Sequence, residues 1–308
     1  MSRYDAVMKM WQDWNIRSVD DLALRLDNFR ILFAYNSGKL ENAEINYHDT
    51  REIFENGKVV GYTGSTRTLF EQQNQKVCCD FLQDKIIAKE PLSIELIRDI
   101  HRALTEGTYD GRRYIVNGER PGEFKKHDYV TGKNEVGSQP DEVENDLAEL
   151  IEEVNAIGAK APLKAGAYLH ARFENIHPFA DGNGRVGRTL LNYWLMINNY
   201  PPTIVYEEDC RAYYDALQDY DEQEDLTPLA QFLEAQTVKT WSRSTEGKKA
   251  APHKKLNSEC RRRLMQDKKR SRQRAFLLCL HIGAAAHDRG ISGKWCAASI
   301  LLFWVSSV

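Results

Sequence analysis

The sequence predicts a mainly α-helical protein, because apolar residues recur at helical spacing in several long segments and no strong alternation indicates a large sheet. Leu22, Leu26, Phe29 and Phe33 form the first such stripe. Hydrophobic residues make up 42% of the 308 residues and charged residues 28%, which is ordinary for a globular protein with a sizeable core. We therefore expect a bundle of helices joined by short polar connections.

Further helices follow from the same spacing. Phe70, Val77 and Phe81 predict one helix, and Ser93 is the predicted N-cap of the next. The buried stripe of that next helix is predicted to be Ile97, Ile100 and Leu104.

Residues 107–139 are predicted to be irregular, with helices after them. Residues 124–136 fit a small hairpin around a turn at 131–134, and a disordered surface loop fits them equally well. Pro140 suits the first turn of an amphipathic helix that ends near Ile157. Another helix is predicted from Leu163 to Asn175.

Composition favours a protein of the reducing cytosol. The six cysteines follow neither a zinc spacing nor the framework of a secreted disulfide protein. No basic segment near Met1 leads into an apolar run, so we predict no signal peptide and a cytoplasmic location. The apolar runs at 275–280 and 297–305 are too short for membrane-spanning helices, which need about 20 apolar residues.

Charge is distributed unevenly along the chain. Lys and Arg greatly outnumber Asp and Glu in residues 248–308, although the whole chain has a net charge of −3. The body is therefore acidic, and we expect it to bind no nucleic acid, because phosphate binding needs clustered cations. We predict an N-terminal extension at 1–20, a main domain at 21–245 and a basic, apolar tail at 246–308. We expect the tail to add nothing to catalysis and to be disordered or a non-native segment; a nucleic-acid-binding or membrane-surface tail is the alternative.

One segment, residues 177–188, combines residue types suited to phosphate chemistry. The imidazole of His177 can accept a proton near neutral pH, and the carboxylate of Asp181 is a hard oxygen ligand of the kind Mg²⁺ prefers. Gly-Asn-Gly at 182–184 lies where a loop meets a helix N-terminus, which favours anions. Arg185 and Arg188 are predicted at neighbouring positions of the first helical turn, where guanidinium groups suit phosphates. Each feature alone has an ordinary structural explanation, but their order and spacing together predict a phosphate-transfer site.

The same segment resembles the signature of the Fic (Fic/Doc) family, His-Pro-Phe-x-Asp/Glu-Gly-Asn-Gly-Arg-x-x-Arg, at every defined position. The resemblance extends over about residues 21–239 and implies a helical bundle with a small β-hairpin flap. It implies an enzyme, a protein adenylyltransferase, that moves AMP from Mg-ATP to a Tyr, Thr or Ser hydroxyl of a target protein. The kinase branch of the family has Asn-Lys-Arg where this chain has Gly-Asn-Gly-Arg, which favours AMP transfer over phosphorylation.

The resemblance also implies a role for each matched residue. His177 would deprotonate the target hydroxyl, Asp181 would bind Mg²⁺, and Phe179 would anchor the loop in the core. The ATP phosphates would be bound by Gly182, Asn183, Gly184, Arg185 and Arg188. The flap that holds the target segment would comprise Phe124, Lys125, Lys126, His127, Asp128 and Tyr129.

A second motif lies upstream, at residues 37–42. From the residues alone, Ser37 is an N-cap candidate for a short helix that carries Glu41, and an ordinary surface helix is the alternative. The string resembles the family's inhibitory motif, Ser/Thr-x-x-x-Glu-Gly/Asn, of the class II type. The resemblance implies that Ser37, Glu41 and Asn42 inhibit the site, with Glu41 paired to Arg188 in the place of the γ-phosphate.

Several alternatives stay open at the level of sequence. De-AMPylation, or transfer of another nucleotide or phosphate donor, would use the same residues. A non-enzymatic interaction protein is disfavoured, because such a protein has no need for the full set of motif residues. The sequence does not identify the target protein, and it leaves a homo-oligomer open.

Overall fold

Every regular element in the described part of the chain is a helix. The computed structural model describes residues 2–129, 137–158 and 161–245, all within one compact unit, Met1–Gly247. The α-helices in these residues are α1 (Arg3–Asp13), α2 (Val19–Lys39), α3 (Tyr47–Asn56), α4 (Thr66–Ala88), α5 (Ile94–Thr105), α6 (Val143–Gly158), α7 (Pro162–Ile176), α8 (Asn183–Ile197), α9 (Cys210–Gln223) and α10 (Thr227–Thr245). A π-helical turn at Arg112–Val116 and a 3₁₀ turn at Glu207–Asp209 complete the set.

Helix α8 lies at the centre of this arrangement. It packs against α2, α4, α5 and α7, and almost all of its side chains are buried, from Asn183 to Leu195. Apolar residues such as Leu190 and Tyr193 fill its contacts, and both are fully buried. The helix that carries the second half of the phosphate motif is therefore packed against four neighbours.

The predicted N-cap of α5 and the predicted stripes of α2 and α5 are confirmed. Ser93 caps α5, since its hydroxyl accepts a hydrogen bond from the N–H of Leu96 at 3.1 Å. The predicted α5 stripe of Ile97, Ile100 and Leu104 is buried, as is the α2 stripe of Leu22, Leu26, Phe29 and Phe33.

Helix α4 is confirmed, but its buried face differs from the apolar stripe. Phe70, Val77 and Phe81 are 38%, 56% and 36% exposed, so they do not form the buried side. The buried residues of α4 are largely polar, namely Thr68, Glu71, Gln72, Asn74, Gln75, Cys78, Leu82 and Ile86. The first half of this helix therefore faces a polar network, and only its second half faces an apolar core.

The N-terminal residues pack onto the end of the described chain. The ring centroids of Trp11 and Trp14 lie 5.5 and 5.6 Å from that of Trp241 on α10. Residues 3–13, expected to be an extension, thus belong to the same unit as the helices that follow. The domain boundaries at 20 and 245 remain predictions.

The region before α6 and α7 agrees in part with expectation. Pro140 lies in the turn that precedes α6, which begins at Val143, and α7 matches the predicted helix closely. Residues 124–129 contain no strand, so the first part of the predicted hairpin is absent. Its turn at 131–134 and the tail at 246–308 lie outside the described residues. No helix of the described ranges is both long and apolar enough to cross a bilayer.

Candidate functional site

His177 lies where α7 ends. Its backbone is left-handed, with φ of 50°, and its N–H donates to the carbonyl of Phe173 at 3.1 Å. The next residue, Pro178, lacks an N–H and cannot continue the helix. Burial, and next the charge of Lys125, lower the pKa of His177 to about 4. The imidazole is therefore neutral at pH 7 and able to accept a proton.

The loop after His177 is fixed by its own side chains. The Asn183 amide accepts from the N–H of Phe179 at 2.9 Å and donates to its carbonyl at 2.7 Å. Phe179 is fully buried and stacks on the His101 ring, with centroids 3.7 Å apart, which agrees with an anchoring role. Asn183 thus shapes the loop, and in this structure its side-chain amide is committed to the Phe179 backbone.

His101 connects three parts of the site. Its Nδ1 accepts from the N–H of Gly122 at 2.8 Å, so its other nitrogen, Nε2, donates to the carbonyl of Asp181 at 3.0 Å. Burial lowers the pKa of His101 to about 3, which keeps this neutral tautomer. One imidazole from α5 therefore ties the segment before the flap to the loop of the motif.

Asp181 is surrounded by guanidinium groups. Its Oδ2 accepts from Arg67 at 2.7 Å and lies 3.9 Å from Arg113, and its Oδ1 lies 3.6 Å from Arg185. Burial alone would raise the pKa of Asp181, but the charges of Arg185, Arg67 and Arg113 outweigh it and hold the pKa below its ordinary value. The group is a carboxylate at neutral pH, as a metal ligand must be.

Arg185 is a buried cation whose hydrogen-bonding capacity is unfilled. It is 2% exposed, and its Nε and NH1 have no hydrogen-bond partner. Its nearest carboxylates, on Glu71 and Asp181, lie 3.7 and 3.6 Å away. Buried donors without partners are costly, so this geometry indicates that a further acceptor, such as a phosphate oxygen, belongs beside them.

The start of α8 also lacks a partner for its backbone. No side chain caps this helix, so its first N–H groups have no capping acceptor. Gly182 has φ of 85°, and a Cβ on it would lie 2.8 Å from Cγ2 of Thr105. A Cβ on Gly184 would overlap the Glu41 carboxylate. Both glycines therefore allow a close approach that no other residue permits here.

Arg188 is the most fully bonded cation of the site. Its Nε donates to Ser37 Oγ at 3.0 Å, and its NH2 donates to the Ser37 carbonyl at 2.9 Å and to Glu41 Oε1 at 2.6 Å. Burial would lower the pKa of Arg188, but Glu41 and its other neighbours hold it above its ordinary value. Arg188 lies one turn further into α8 than predicted, because the helix begins at Asn183.

The second motif is built differently from the expectation. Ser37 lies buried in the last turn of α2, and Glu41 follows the end of that helix. The prediction of a separate short helix with an N-cap at Ser37 is therefore wrong, because the serine hydroxyl accepts a hydrogen bond from Arg188 instead. Asn42 donates to Glu71 Oε2 at 2.7 Å and to Thr68 Oγ1 at 3.0 Å, which fastens this segment to α4.

The described flap residues approach the motif through their backbone. The N–H of Lys125 donates to the carbonyl of Pro178 at 2.9 Å, and the Phe124 ring lies 5.4 Å from that of Phe179. Lys126, His127 and Tyr129 bond to residues 117–119. Asp128 is exposed. Residues 124–129 therefore form an edge beside His177 without being strands.

Comparison with known proteins agrees with the motif at residues 177–188. Residues 91–195 match the sequence model of the Fic/DOC family. The chain contains a domain of the Fic/DOC family. The curated relatives include the protein adenylyltransferase fic-1 of Caenorhabditis briggsae, 29% identical over 192 residues, which are 60% of this chain and 36% of that protein. The protein adenylyltransferase Fic of Aedes aegypti is 42% identical over 79 residues, 26% of this chain and 16% of that one.

Solved structures share the arrangement of the Fic domain. A Fic domain containing signaling protein from Bacteroides thetaiotaomicron is 24% identical, with a TM-score of 0.69 over 80% of this chain and 96% of that one. Fic-1 (residues 134–508) from Caenorhabditis elegans is 23% identical, with a TM-score of 0.64 over 78% and 70% of the two chains. This chain spans less than half the length of the curated relatives it matches.

Several residues that surround the Fic motif were not predicted. They are Arg67 and Glu71 on α4, His101 on α5, Arg113 in the π-helical turn, and His170 and Glu174 on α7. Arg113 donates to the carbonyl of Ala180. Oε1 of Glu174 and Nδ1 of His170 are buried 3.9 Å apart without hydrogen-bond partners, and burial raises the pKa of Glu174 to about 8. The helical position of Glu174, three residues before His177, was the only signal in the sequence.

A large open groove elsewhere in the compact unit Met1–Gly247 is separate from these residues. It has a volume of about 990 Å³ and is lined by residues of α1, α7, α9 and α10, including Tyr4, Arg172 and Tyr220. None of the motif residues lines it. The chemistry described above is concentrated at the start of α8, where Glu41 and Arg67 fill the space beside the motif.

Proposed function

We propose that this Fic domain transfers AMP from ATP to a hydroxyl group of a target protein, with His177 as the general base. The neutral imidazole supports this role, because a base must be unprotonated at the working pH. In the transfer, the hydroxyl oxygen attacks the α-phosphorus, His177 takes the hydroxyl proton, and pyrophosphate leaves with the electrons of the broken P–O bond. No covalent intermediate with the enzyme is needed.

The observation that carries the proposal is the set of N–H donors without acceptors at the start of α8. Arg185 is buried with unpartnered N–H groups, and the first N–H groups of the helix have no cap. Both features favour phosphate oxygens, through the positive end of the helix and through charge-assisted hydrogen bonds. Gly182 and Gly184 would let the phosphates approach the backbone.

Asp181 is the residue that would hold Mg²⁺. No group of three or more acidic, His or Cys side chains is arranged for a metal in the described residues. A single carboxylate fits Mg²⁺ nevertheless, because this ion commonly takes one or two carboxylates together with substrate phosphates and water. When bound, Mg²⁺ would neutralise charge on the phosphate groups of ATP.

Glu41 would inhibit the reaction by occupying Arg188. The Nε and NH2 groups of Arg188 donate to Ser37 and Glu41. While these hydrogen bonds last, the same N–H groups are not available to the terminal phosphate of ATP. The Glu41 carboxylate would also repel phosphate oxygens at this place. ATP would then bind in a pose unsuited to attack, and the inhibiting group would be part of the same chain.

The target would bind along the flap as an extended segment. Residues 124–129 lie beside His177 through the backbone bond of Lys125 to Pro178. Extended peptides commonly bind by backbone hydrogen bonds to such an edge. We propose a cytoplasmic setting, since the described cysteines, Cys78, Cys79 and Cys210, are free thiols. A homo-oligomer remains compatible with the proposal.

Incubation of the Glu41→Gly variant, which lacks the proposed inhibitory carboxylate, with a host lysate and Mg²⁺ tests the proposal, using ATP labelled at the α- or the γ-phosphate. We expect protein-bound label only from α-labelled ATP, and none with His177→Ala. His48→Ala is the matched control, because His48 is an exposed histidine on α3. Label from γ-labelled ATP would indicate phosphorylation, and equal α-labelling by His177→Ala would exclude His177 as the base.

A further inference from the structure

Arg67 bridges two acidic residues at the entrance to the site. Its Nε donates to Glu71 Oε1 at 3.0 Å, and its NH2 donates to Asp181 Oδ2 at 2.7 Å. Glu71 lies one turn away on α4, whereas Asp181 lies 114 positions away in the motif. The planar fork of a guanidinium allows both contacts at once, which a lysine ammonium could not reproduce with the same geometry.

This position conflicts with a cation bound to Asp181. The Asp181 side chain is 19% exposed, and Arg67 occupies the oxygen that is not turned toward Arg185. A divalent ion bound to that oxygen would compete with Arg67 for its lone pairs. The ion would also lie close to the positive charge of the Arg67 guanidinium, which repels it. Arg67 is itself 43% exposed, so its side chain has room to turn away into solvent.

Glu71 links Arg67 to the inhibitory segment. Its carboxylate is 4% exposed and accepts from Arg67 on one oxygen and from the Asn42 amide on the other. Asn42 directly follows Glu41, and Oδ1 of its side-chain amide accepts from the N–H of Glu44 at 2.9 Å. A displacement of the segment that carries Glu41 would therefore remove a hydrogen bond from the carboxylate that orients Arg67.

We propose that Arg67 competes with the divalent cation for Asp181 and is held in that position by Glu71 and Asn42. The inference rests on the proposed role of Asp181 and adds a second inhibitory contact, on the metal side of the nucleotide. Glu41 keeps Arg188 from the nucleotide phosphates, and Arg67 keeps Asp181 from the metal ion. Both contacts depend on the segment at residues 37–42, so its release would free the two halves of the site together.

Binding of Mn²⁺ in the presence of saturating α,β-methylene-ATP tests this without any turnover, with free Mn²⁺ followed by electron paramagnetic resonance. We expect Arg67→Gln to tighten Mn²⁺ binding by about twofold to fivefold, the upper part of the range expected from loss of a partly exposed ion pair. Arg51→Gln is the matched control, because Arg51 is an exposed arginine that pairs with Glu55 one turn away at 2.8 Å. It should leave the Mn²⁺ affinity unchanged.

The sign of the change separates the two roles that Arg67 could have. Unchanged or weaker Mn²⁺ binding by Arg67→Gln overturns the proposal. If Arg67 only oriented Asp181 as a ligand, its removal would weaken Mn²⁺ binding. Wild-type Mn²⁺ binding that persists in Asp181→Asn overturns both this proposal and the metal role of Asp181. AMP incorporation, measured separately, reports on the proposed function by itself.

A double-variant cycle tests the link through Glu71. Asn42→Ala should tighten Mn²⁺ binding by a smaller factor than Arg67→Gln, because Glu71 and Asp181 still hold the arginine. In the Arg67→Gln background, Asn42→Ala should add nothing. An undiminished effect of Asn42→Ala in that background would show that Asn42 acts on the site by another route.

Discussion

Arg188 and Glu41 are 147 positions apart in the sequence, and the guanidinium NH2 of one donates to Oε1 of the other at 2.6 Å. The contact brings the end of α2 onto the start of α8. It is possible only because residue 184 is glycine, since a Cβ there would overlap the Glu41 carboxylate and lie 2.9 Å from NH1 of Arg188. The strength of this ion pair would determine how strongly Glu41 inhibits the site.

Glu41→Gly is expected to raise the rate of AMP incorporation by about tenfold or more, the effect of losing one charge-assisted hydrogen bond. The measurement is the initial rate of labelling from α-labelled ATP. Glu44→Gly is the control, because Glu44 lies in the same loop and accepts from Thr68 at 2.7 Å, away from Arg188. An increase of equal size in both variants would attribute the effect to loop flexibility.

Ser37→Ala is expected to raise the same rate by a smaller factor than Glu41→Gly. It removes one hydrogen bond to Arg188 but leaves the Ser37 carbonyl and Glu41 in place. The lost bond should also lower the free energy of unfolding by about 1 kcal/mol. Ser93→Ala controls for destabilisation, since loss of that N-cap costs about as much and lies on α5. A similar gain of activity in Ser93→Ala would contradict the specific role of Ser37.

Lys125→Met is expected to move the acid limb of the kcat/KM profile to higher pH. The positive charge of Lys125 disfavours the imidazolium, so its removal raises the pKa of His177 from about 4 toward its ordinary value of 6.5. At a pH between these values the variant should lose activity that the wild type keeps. Lys126→Met is the control, because Lys126 pairs with Glu123 at 2.9 Å and is not among the charges that act on His177. An unshifted limb would show that burial alone sets this pKa.

Glu174→Gln is expected to stabilise the protein increasingly as the pH rises. In the fold, burial raises the pKa of Glu174 from 4.5 to about 8, whereas in the unfolded chain it stays near its ordinary value. The wild type therefore loses unfolding free energy as the pH rises from 4.5 to 8, and glutamine avoids the loss. In urea unfolding, the variant's gain in unfolding free energy over the wild type should be larger at pH 8 than at pH 5, by about 1–3 kcal/mol. Glu152→Gln is the matched control, because Glu152 is an exposed glutamate on α6.

The helices that surround the motif could be predicted because their apolar residues face an apolar core. The stripes of α2 and α5 and the extent of α7 follow from helical spacing alone. Helix α4 shows the limit of this approach. Its buried face carries Glu71 and Gln72, so hydrophobicity points to the exposed side, where Val77 lies.

The residues around the motif were harder to predict than the motif itself. The segment from His177 to Arg188 carries its chemistry within twelve positions. Arg67 and His101, by contrast, are isolated residues on separate helices, and only the folded chain brings them to Asp181. The proposed inhibitory motif rests on resemblance, but the placement of Ser37 depends on how far α2 continues before Glu41, and local cap preferences did not predict that.

The central claim is that the site transfers AMP, with His177 as the general base, when Glu41 no longer occupies Arg188. Intact-mass spectrometry of the purified protein after incubation with Mg-ATP tests it most directly, with Glu41→Gly compared against the Glu41→Gly/His177→Ala double variant. We predict an added adenylyl group on the single variant and none on the double variant. An unmodified single variant, or equal modification of both, would contradict the claim.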